Sequence, residues 1–379
     1  MLLSLLLFFF QAPSAALEAR PSLEARVQGH LAGYVEDGKP PAVSAGIVLP
    51  DGRALALAAG LADRAGKVPA KPTSRFCAGS TGKTFVAATV LQLVQEGKLD
   101  LDDFAGDILG EEPWFARVPN AGDLTIELLL QHRSGLERHE FLPEFMGAVI
   151  ANPDREWKPA ELMSFVLDHE PKFPAGSAFA YSDTNFILLG MIVERVTGNA
   201  LYAEVQRRFL DPLGLAGVRP QDARTLPGLV NGYAGAANPF GVPDEMLGRD
   251  GRFILNPQFE WAGGGFVTSG GDLARWARAL YAGDVLRPEL RARMTSGLDA
   301  PELGKGMRYG LGCELWPSKH GTCWGHGGFF PGYLTEMRYW PEQRVAVAVQ
   351  VNTSEYAALG KPLGVLCEEL LGIALEHDG

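Results

Sequence analysis

The sequence predicts an α+β fold in which an antiparallel sheet, built from strands at both chain ends and flanked by helices, carries a mainly helical inserted subdomain. Three observations predict it. VSAGIVLPDGRALALAAG near the N-terminus reads as a hairpin turning at Pro50-Asp51-Gly52, and TEMRYWPEQRVAVAVQVN near the C-terminus reads as a second, turning near Pro341. Between them, residues of about 84 to 290 carry apolar positions at helical spacing. Hairpin connections make the sheet antiparallel. A cleft is expected where the sheet meets the insert.

Taken in order, residues 17 to 36 read as a helix ahead of the first hairpin. In the insert, TIELLLQHRSGL, PAELMSFVLDH, TNFILLGMIVERVTG, ALYAEVQRRFL and GDLARWARALYAG each show a helical apolar stripe. Gly198 stands where a helix C-cap glycine belongs. Residues 216 to 262, rich in Gly, Pro and Asn, read as an irregular lobe over a site. A terminal helix is expected from Tyr356 to Glu376. The organisation is one domain over 17–379, with a sheet subdomain at about 17–80 and 300–379 and a helical subdomain at about 81–299. No internal repeat or low-complexity segment interrupts it.

Composition narrows the function classes. The 379 residues are 46% hydrophobic and 21% charged, which suits a globular chain with a large core. A net charge of −11 argues against a nucleic-acid surface, which would cluster Lys and Arg. Residues 1–16, MLLSLLLFFFQAPSAA, combine an apolar run too short to span a bilayer with small residues, as a signal peptide does, although no basic residue precedes the run. An exported protein, periplasmic or secreted, without an integral membrane segment in the mature chain is expected. Cys77, Cys313, Cys323 and Cys367 have no metal-type spacing. Cys313 and Cys323 flank a turn-like WPSKHG, so an oxidised pair across a hairpin is open. The seven histidines show no ligand spacing, so neither a metal nor another cofactor is expected.

The stretch CAGSTGKTFVAATVLQLV, residues 77–94, admits two chemistries. Gly82-Lys83-Thr84 matches the end of a phosphate-binding loop, but that loop needs a glycine where Cys77 stands and a buried strand where VPAKPTSRF stands. The other reading pairs Ser80 with Lys83 on one helix face, where a partly buried lysine can take the serine proton and make the hydroxyl a nucleophile. An N-cap serine followed by a solvated lysine would look the same.

Two further segments bear on that choice. FPAGSAFAYSDTNFILLG puts Tyr181 and Ser182 at a helix entrance beside Asp183, and CWGHGGFFPGY supplies His326-Gly327-Gly328. A buried tyrosine at a cap and a tight strand bend would account for them separately. In this order and at these separations, Ser80-Thr81-Gly82-Lys83, Tyr181-Ser182-Asp183 and His326-Gly327-Gly328 resemble the active-site serine penicillin-recognising family, most closely class C β-lactamases, DD-peptidases and related esterases. The resemblance runs through nearly the whole chain and includes LLLQHRSGL, EGKLDLDD and GGGFVTSGGDLARWARAL.

The resemblance implies a β-lactamase/transpeptidase-like fold and a hydrolase working through an acyl-enzyme on D-amino-acid peptides or esters. A class C-type β-lactamase is the alternative, and a non-catalytic peptidoglycan- or penicillin-binding protein the alternative of another class. Ser80 would be the nucleophile, Lys83 its proton acceptor or relay, and Tyr181 a general base with its pKa lowered by Lys83. The amides of Ser80 and Phe329 would form the oxyanion hole. Asp183, His326, Gly327 and Gly328 would bind substrate, with His326 meeting a carboxylate where the family usually has lysine. Asp183 departs from the family's asparagine: an ionised carboxylate only accepts hydrogen bonds and opposes a tyrosinate. It is therefore protonated, turned away, or part of a site in which a proton relay carries the base chemistry. The partner implied is a small molecule or peptide, with oligomeric state open.

Overall fold

A computed structural model describes residues 21–36, 39–236 and 238–376, and the statements below concern these. The leader-like segment 1–16 and the start of the helix expected from residue 17 lie outside them. Strands β1 (Ala42–Val48), β2 (Ala54–Asp63) and β3 (Val68–Pro69) precede the insert. Strands β7 (Leu298–Asp299), β8 (Arg308–Tyr309), β9 (Glu314–Trp316), β10 (Cys323–Phe330), β11 (Tyr333–Trp340) and β12 (Val345–Val351) follow it. They form one sheet in the order β3-β2-β1-β12-β11-β10-β9-β8-β7, antiparallel at each junction as hairpin connections require. The two ends of the chain meet in its middle, where Ala45 stands opposite Val349. Short β4 (Phe76–Cys77), β5 (Arg219–Pro220) and β6 (Phe266–Thr268) make a second sheet in the order β4-β6-β5.

The central strands are covered on both faces, so β12 reads VAVAVQV as a continuous apolar run. Val345, Val347, Val349 and Val351 pack toward helices α1 (Leu23–Tyr34) and α5 (Leu363–Leu375). Ala346 and Ala348 face the other core, under α4 (Gly270–Ala282). Small residues are needed on that side because α4 presses close: a Cβ on Gly46 would lie 2.1 Å from Gly270 O. The insert is organised around α2 (Lys83–Gln95), buried nearly all round, which packs against α3 (Asp183–Thr197).

Several sequence expectations need correction. The stripes in TIELLLQHRSGL and PAELMSFVLDH yield α-helix only over Ile126–Leu130 and Pro159–Met163. The chain bends away at His132 and Asp168, both with positive φ. The terminal helix begins at Leu363 rather than Tyr356, with Pro362 at its N-cap. The hairpin places Trp316 opposite Cys323, so Cys313 does not face it, and all four cysteines are free and buried. Among the described residues no single helix is long and apolar enough to cross a membrane.

Candidate active site

Ser80 sits in a 3₁₀ turn, Gly79–Gly82, which carries the chain from β4 into α2, and Lys83 is the first residue of that helix. The sequence expectation placed both on one face of an α-helix, about a turn apart. The difference has a geometric consequence, because residues three apart eclipse in a 3₁₀ turn. Lys83 Nζ therefore reaches Ser80 Oγ at 2.9 Å. Gly79 is required here: its φ is +52° and a Cβ would lie 2.6 Å from Phe329 N. The turn is thus pressed against β10, bringing the Ser80 segment and the Phe329 backbone together.

The Lys83 side chain is fully buried and faces three oxygens. Beyond Ser80 it donates to Gly263 O at 2.5 Å, and Asp183 Oδ1 lies 2.6 Å away as a charge contact off the hydrogen-bonding line. Burial works to raise the Asp183 pKa, but the charges of Lys83 and Arg138 outweigh it and hold the carboxyl below its usual range. Asp183 is therefore neither protonated nor turned away, and of the alternatives left open by the sequence the relay remains.

Tyr181 borders the same group, with Lys83 Nζ 5.0 Å from its ring centroid. Its hydroxyl is buried without an aligned partner among the described residues. Burial, and then the Asp183 charge, push the phenol pKa well above its ordinary value; the nearby Ser80 hydroxyl pulls weakly the other way. The expected tyrosinate is thus corrected. Lys83 spends its charge on Asp183, and Tyr181 stays a phenol.

His326 also departs from expectation. Its side chain is 0% exposed and borders neither cavity at Ser80. Its Nε2 lies 3.0 Å from Tyr309 Oη, and its Nδ1 lies 3.2 Å from Glu314 Oε1 and 2.5 Å from Gly327 O. Tyr309 Oη in turn meets His132 Nε2 at 3.1 Å. The protons along this chain follow from its far end. Ser182 N–H and the Asn185 amide both point at His132 Nδ1, at 3.2 and 3.0 Å, so Nδ1 accepts and Nε2 carries the proton. His132 then donates to Tyr309, Tyr309 donates to His326 Nε2, and His326 holds its proton on Nδ1, facing Glu314 and Gly327 O. Burial, then the Lys83 charge, lowers the His326 pKa to about 3, so the ring is neutral and is not a carboxylate anchor.

The two glycines differ. A Cβ on Gly328 would lie 2.0 Å from Ala78 O, so Gly328 serves the contact between β10 and the Ser80 turn rather than a ligand. Gly327 is open, with Glu314 Oε2 3.6 Å from such a Cβ. On the side facing β9, β10 is paired only over Cys323–Gly325, so its edge from His326 onward is free of that strand.

Two cavities open on Ser80. One, of about 330 Å³, is lined by six phenylalanines, Phe141, Phe145, Phe240, Phe259, Phe329 and Phe330, with Glu140, Asp183 and Glu260 beside them. The other, of about 930 Å³, runs along Tyr181, Glu314, Gly327 and Gly328. Arg138 borders both, its Nε 2.7 Å from Glu140 Oε1. Burial, and next the Asp183 charge, raise Glu140 to about 7 and Glu260 to about 8. Arg138, Glu140, Glu260 and Glu314 were not singled out from the sequence. The only pointers were LERHEF following LLLQHRSGL and the irregular lobe that ends at Glu260.

The Beta-lactamase family profile matches residues 27–364. A D-stereospecific amidohydrolase from Streptomyces sp. superposes with a TM-score of 0.77 at 28% identity, covering 93% of this chain and 99% of that one. The D-amino acid amidase of Ochrobactrum anthropi SV3 gives 0.78 at 27%, covering 94% and 98%. Penicillin-binding protein 4* of Bacillus subtilis is 26% identical over 78% of this chain, and the lovastatin esterase of Penicillium rubens 28% over 63%. The chain spans 64% and 63% of the length of these two relatives.

Proposed function

We propose that this chain, which belongs to the Beta-lactamase family, is a serine hydrolase that forms an acyl-enzyme at Ser80 on amides, peptides or esters of D-amino acids with an apolar side chain. The observation that carries the reading is the 2.9 Å hydrogen bond from Lys83 Nζ to Ser80 Oγ, at the mouth of the phenylalanine-lined cavity. Because Lys83 donates to Ser80 Oγ, the serine proton is free to point at the phenol of Tyr181. As Ser80 attacks, its proton passes to Tyr181 Oη while Tyr181 gives its own to the leaving nitrogen or oxygen. The phenol ends as it began, so no tyrosinate is needed, and the Lys83 charge steadies the oxyanion developing on Ser80. Water then retraces the path and releases the acyl group.

The amides of Ser80 and Phe329 take the role of oxyanion hole in this reading, where one donor typically contributes about 2.7–4 kcal/mol to barrier lowering. Tyr181 assigns direction: the leaving group lies in the wider cavity that Tyr181 borders, and the acyl side chain in the phenylalanine-lined one. Glu140, Asp183 and Glu260 beside that cavity suit a free amine on the acyl part. The names of the amidohydrolase and the amidase above support D-amino acids as the substrate class. A β-lactamase or DD-carboxypeptidase function is less well supported, because the buried, neutral His326 offers no charge to a substrate carboxylate. The leader-like residues 1–16 support an exported location.

The test is a panel on purified protein: D-phenylalanine amide, short-chain nitrophenyl esters, a D-Ala-D-Ala peptide and a chromogenic cephalosporin. Turnover of the D-phenylalanine amide that vanishes in Ser80→Ala is the expected result. Turnover of the cephalosporin alone would make the chain a β-lactamase, and penicillin acylation without turnover of any substrate would make it a binder.

A further inference from the structure

The side of the cleft assigned to the leaving group carries a carboxyl where the sequence leads us to expect His326 to meet a substrate carboxylate. Glu314, on β9, borders the same cavity as Ser80, Tyr181 and Gly327. Its side chain is 12% exposed, whereas His326 behind it is 0% exposed. The hydrogen-bond chain from His132 through Tyr309 fixes the His326 proton on Nδ1, 3.2 Å from Glu314 Oε1. That proton also faces Gly327 O, 2.5 Å from Nδ1, so the neutral ring stands behind the Glu314 carboxyl without a charge to neutralise it. The other basic groups on this wall are engaged: Arg338 Nη2 lies 2.7 Å from Glu336 Oε1, Lys361 donates to Glu369 at 2.8 Å, and Arg138 is paired with Glu140. Lys305 stands exposed at the outer rim, where solvent screens it.

We propose that Glu314 is a specificity-determining residue on the leaving-group side, selecting neutral leaving groups, such as ammonia, simple amines and alcohols, against those that end in a carboxylate. The inference rests on the serine-hydrolase reading above and names which substrates that site turns over. Its physical basis is discrimination by repulsion: a carboxylate placed against Glu314 meets like charge with no unpaired cation beside it among the described residues of this wall, whereas an amide or ester group meets no such repulsion.

The ionisation of Glu314 sets when this discrimination is full. The groups facing it are His326 on β10, Glu336 and Arg338 on β11, Lys83 on α2, the phenols of Tyr181, Tyr281, Tyr309 and Tyr356, and the Cys313 thiol. Burial, and then Glu336, raise its pKa to about 8, with Gly327 N–H, Arg338 and Lys83 pulling the other way. The carboxyl is ionised above that value, so the selection is strongest there.

The experiment compares kcat/KM for D-phenylalanyl-D-alanine with its C-terminal methyl ester at about pH 9, on the wild-type chain and on Glu314→Gln. Initial release of D-phenylalanine is followed, so that the same peptide bond is compared in both substrates, hydrolysis of the methyl ester itself is not counted, and the ratio isolates the carboxylate. We expect the ester to be favoured by about tenfold or more in the wild type, and that preference to shrink to about threefold or less in Glu314→Gln, by analogy with other like-charge contacts at recognition sites. At about pH 6, where Glu314 is protonated, the wild-type preference narrows in the same direction, a readout that does not depend on the variant folding. A ratio near one in the wild type at about pH 9, or an unchanged ratio in folded Glu314→Gln, overturns the proposal while leaving the hydrolase reading intact. No turnover of either substrate together with no fluorophosphonate labelling at Ser80 overturns the hydrolase reading itself.

Discussion

Asp183 Oδ1 lies 2.6 Å from Lys83 Nζ, in a pocket where the lysine side chain is wholly buried. Removing one partner of such a pair strands the other charge, at a cost of about 3–5 kcal/mol. Asp183→Ala is therefore expected to lower the stability measured by urea unfolding by about that amount. Asp183→Asn keeps an oxygen that can accept from Lys83 and should cost clearly less. Equal losses would mean that the carboxylate charge, which both variants lose, carries the whole effect, and unchanged stability in Asp183→Ala would mean that the pair contributes no charge-specific stabilisation.

The phenol relay gives Tyr181→Phe a particular signature. The ring and its packing on His132, 4.1 Å between centroids, are kept, while the hydroxyl assigned to pass the proton is removed. Positioned proton transfer contributes typically about 10²–10⁴-fold, so kcat should fall by roughly that factor with KM little changed. A loss below about tenfold would move the proton path elsewhere.

Stability should be greatest at mildly acidic pH. Burial keeps His139 at about 4 and His326 at about 3, and holds His132 well below its usual value, against 6.5 for a free histidine. The unfolded chain binds the extra protons in that window, so stability is lost as pH falls below 6.5. Glu140, Glu260 and Glu314 behave oppositely: raised from 4.5 to about 7, 8 and 8, they hold protons that the unfolded chain has released, and stability is lost as pH rises through 4.5 to 8. The two trends oppose one another only between 4.5 and 6.5, so thermal midpoints should plateau there and drop on both sides. A midpoint that keeps rising to pH 8 would contradict the raised carboxyls.

Gly328→Ala tests the contact that seats the nucleophile turn. Its Cβ would fall 2.0 Å from Ala78 O, a backbone atom that can move only with the Ser80 segment. The expected result is a loss of at least about 3 kcal/mol, the upper range for overpacking, with slowed labelling of Ser80. Wild-type stability in the variant would mean that β10 is not tightly packed there.

The parts of this site readable from sequence are those set by short-range geometry. Ser80 and Lys83 are three residues apart, and Tyr181 stands just before a strongly periodic helix. The hairpins were legible because Pro50-Asp51-Gly52 and Pro341 are turn residues between apolar runs. The helix stripes ran past their true ends because His132 and Asp168 adopt positive φ without being glycine. His326 misled for a different reason: which way a strand residue faces depends on its neighbours, and β9 pairs with β10 only as far as Gly325. Arg138 with Glu140, Glu260, and Glu314 come from three separate segments with no common spacing, so only the fold brings them to Ser80.

Ser80 Oγ is the atom acylated in this mechanism, with Lys83 Nζ 2.9 Å from it. Peptide mapping of the protein after reaction with a fluorophosphonate probe tests it most directly. The account predicts a single adduct on Ser80, absent from Ser80→Ala and formed orders of magnitude more slowly in Lys83→Ala. Equal labelling of Ser80→Ala, or an adduct on another serine, would contradict it.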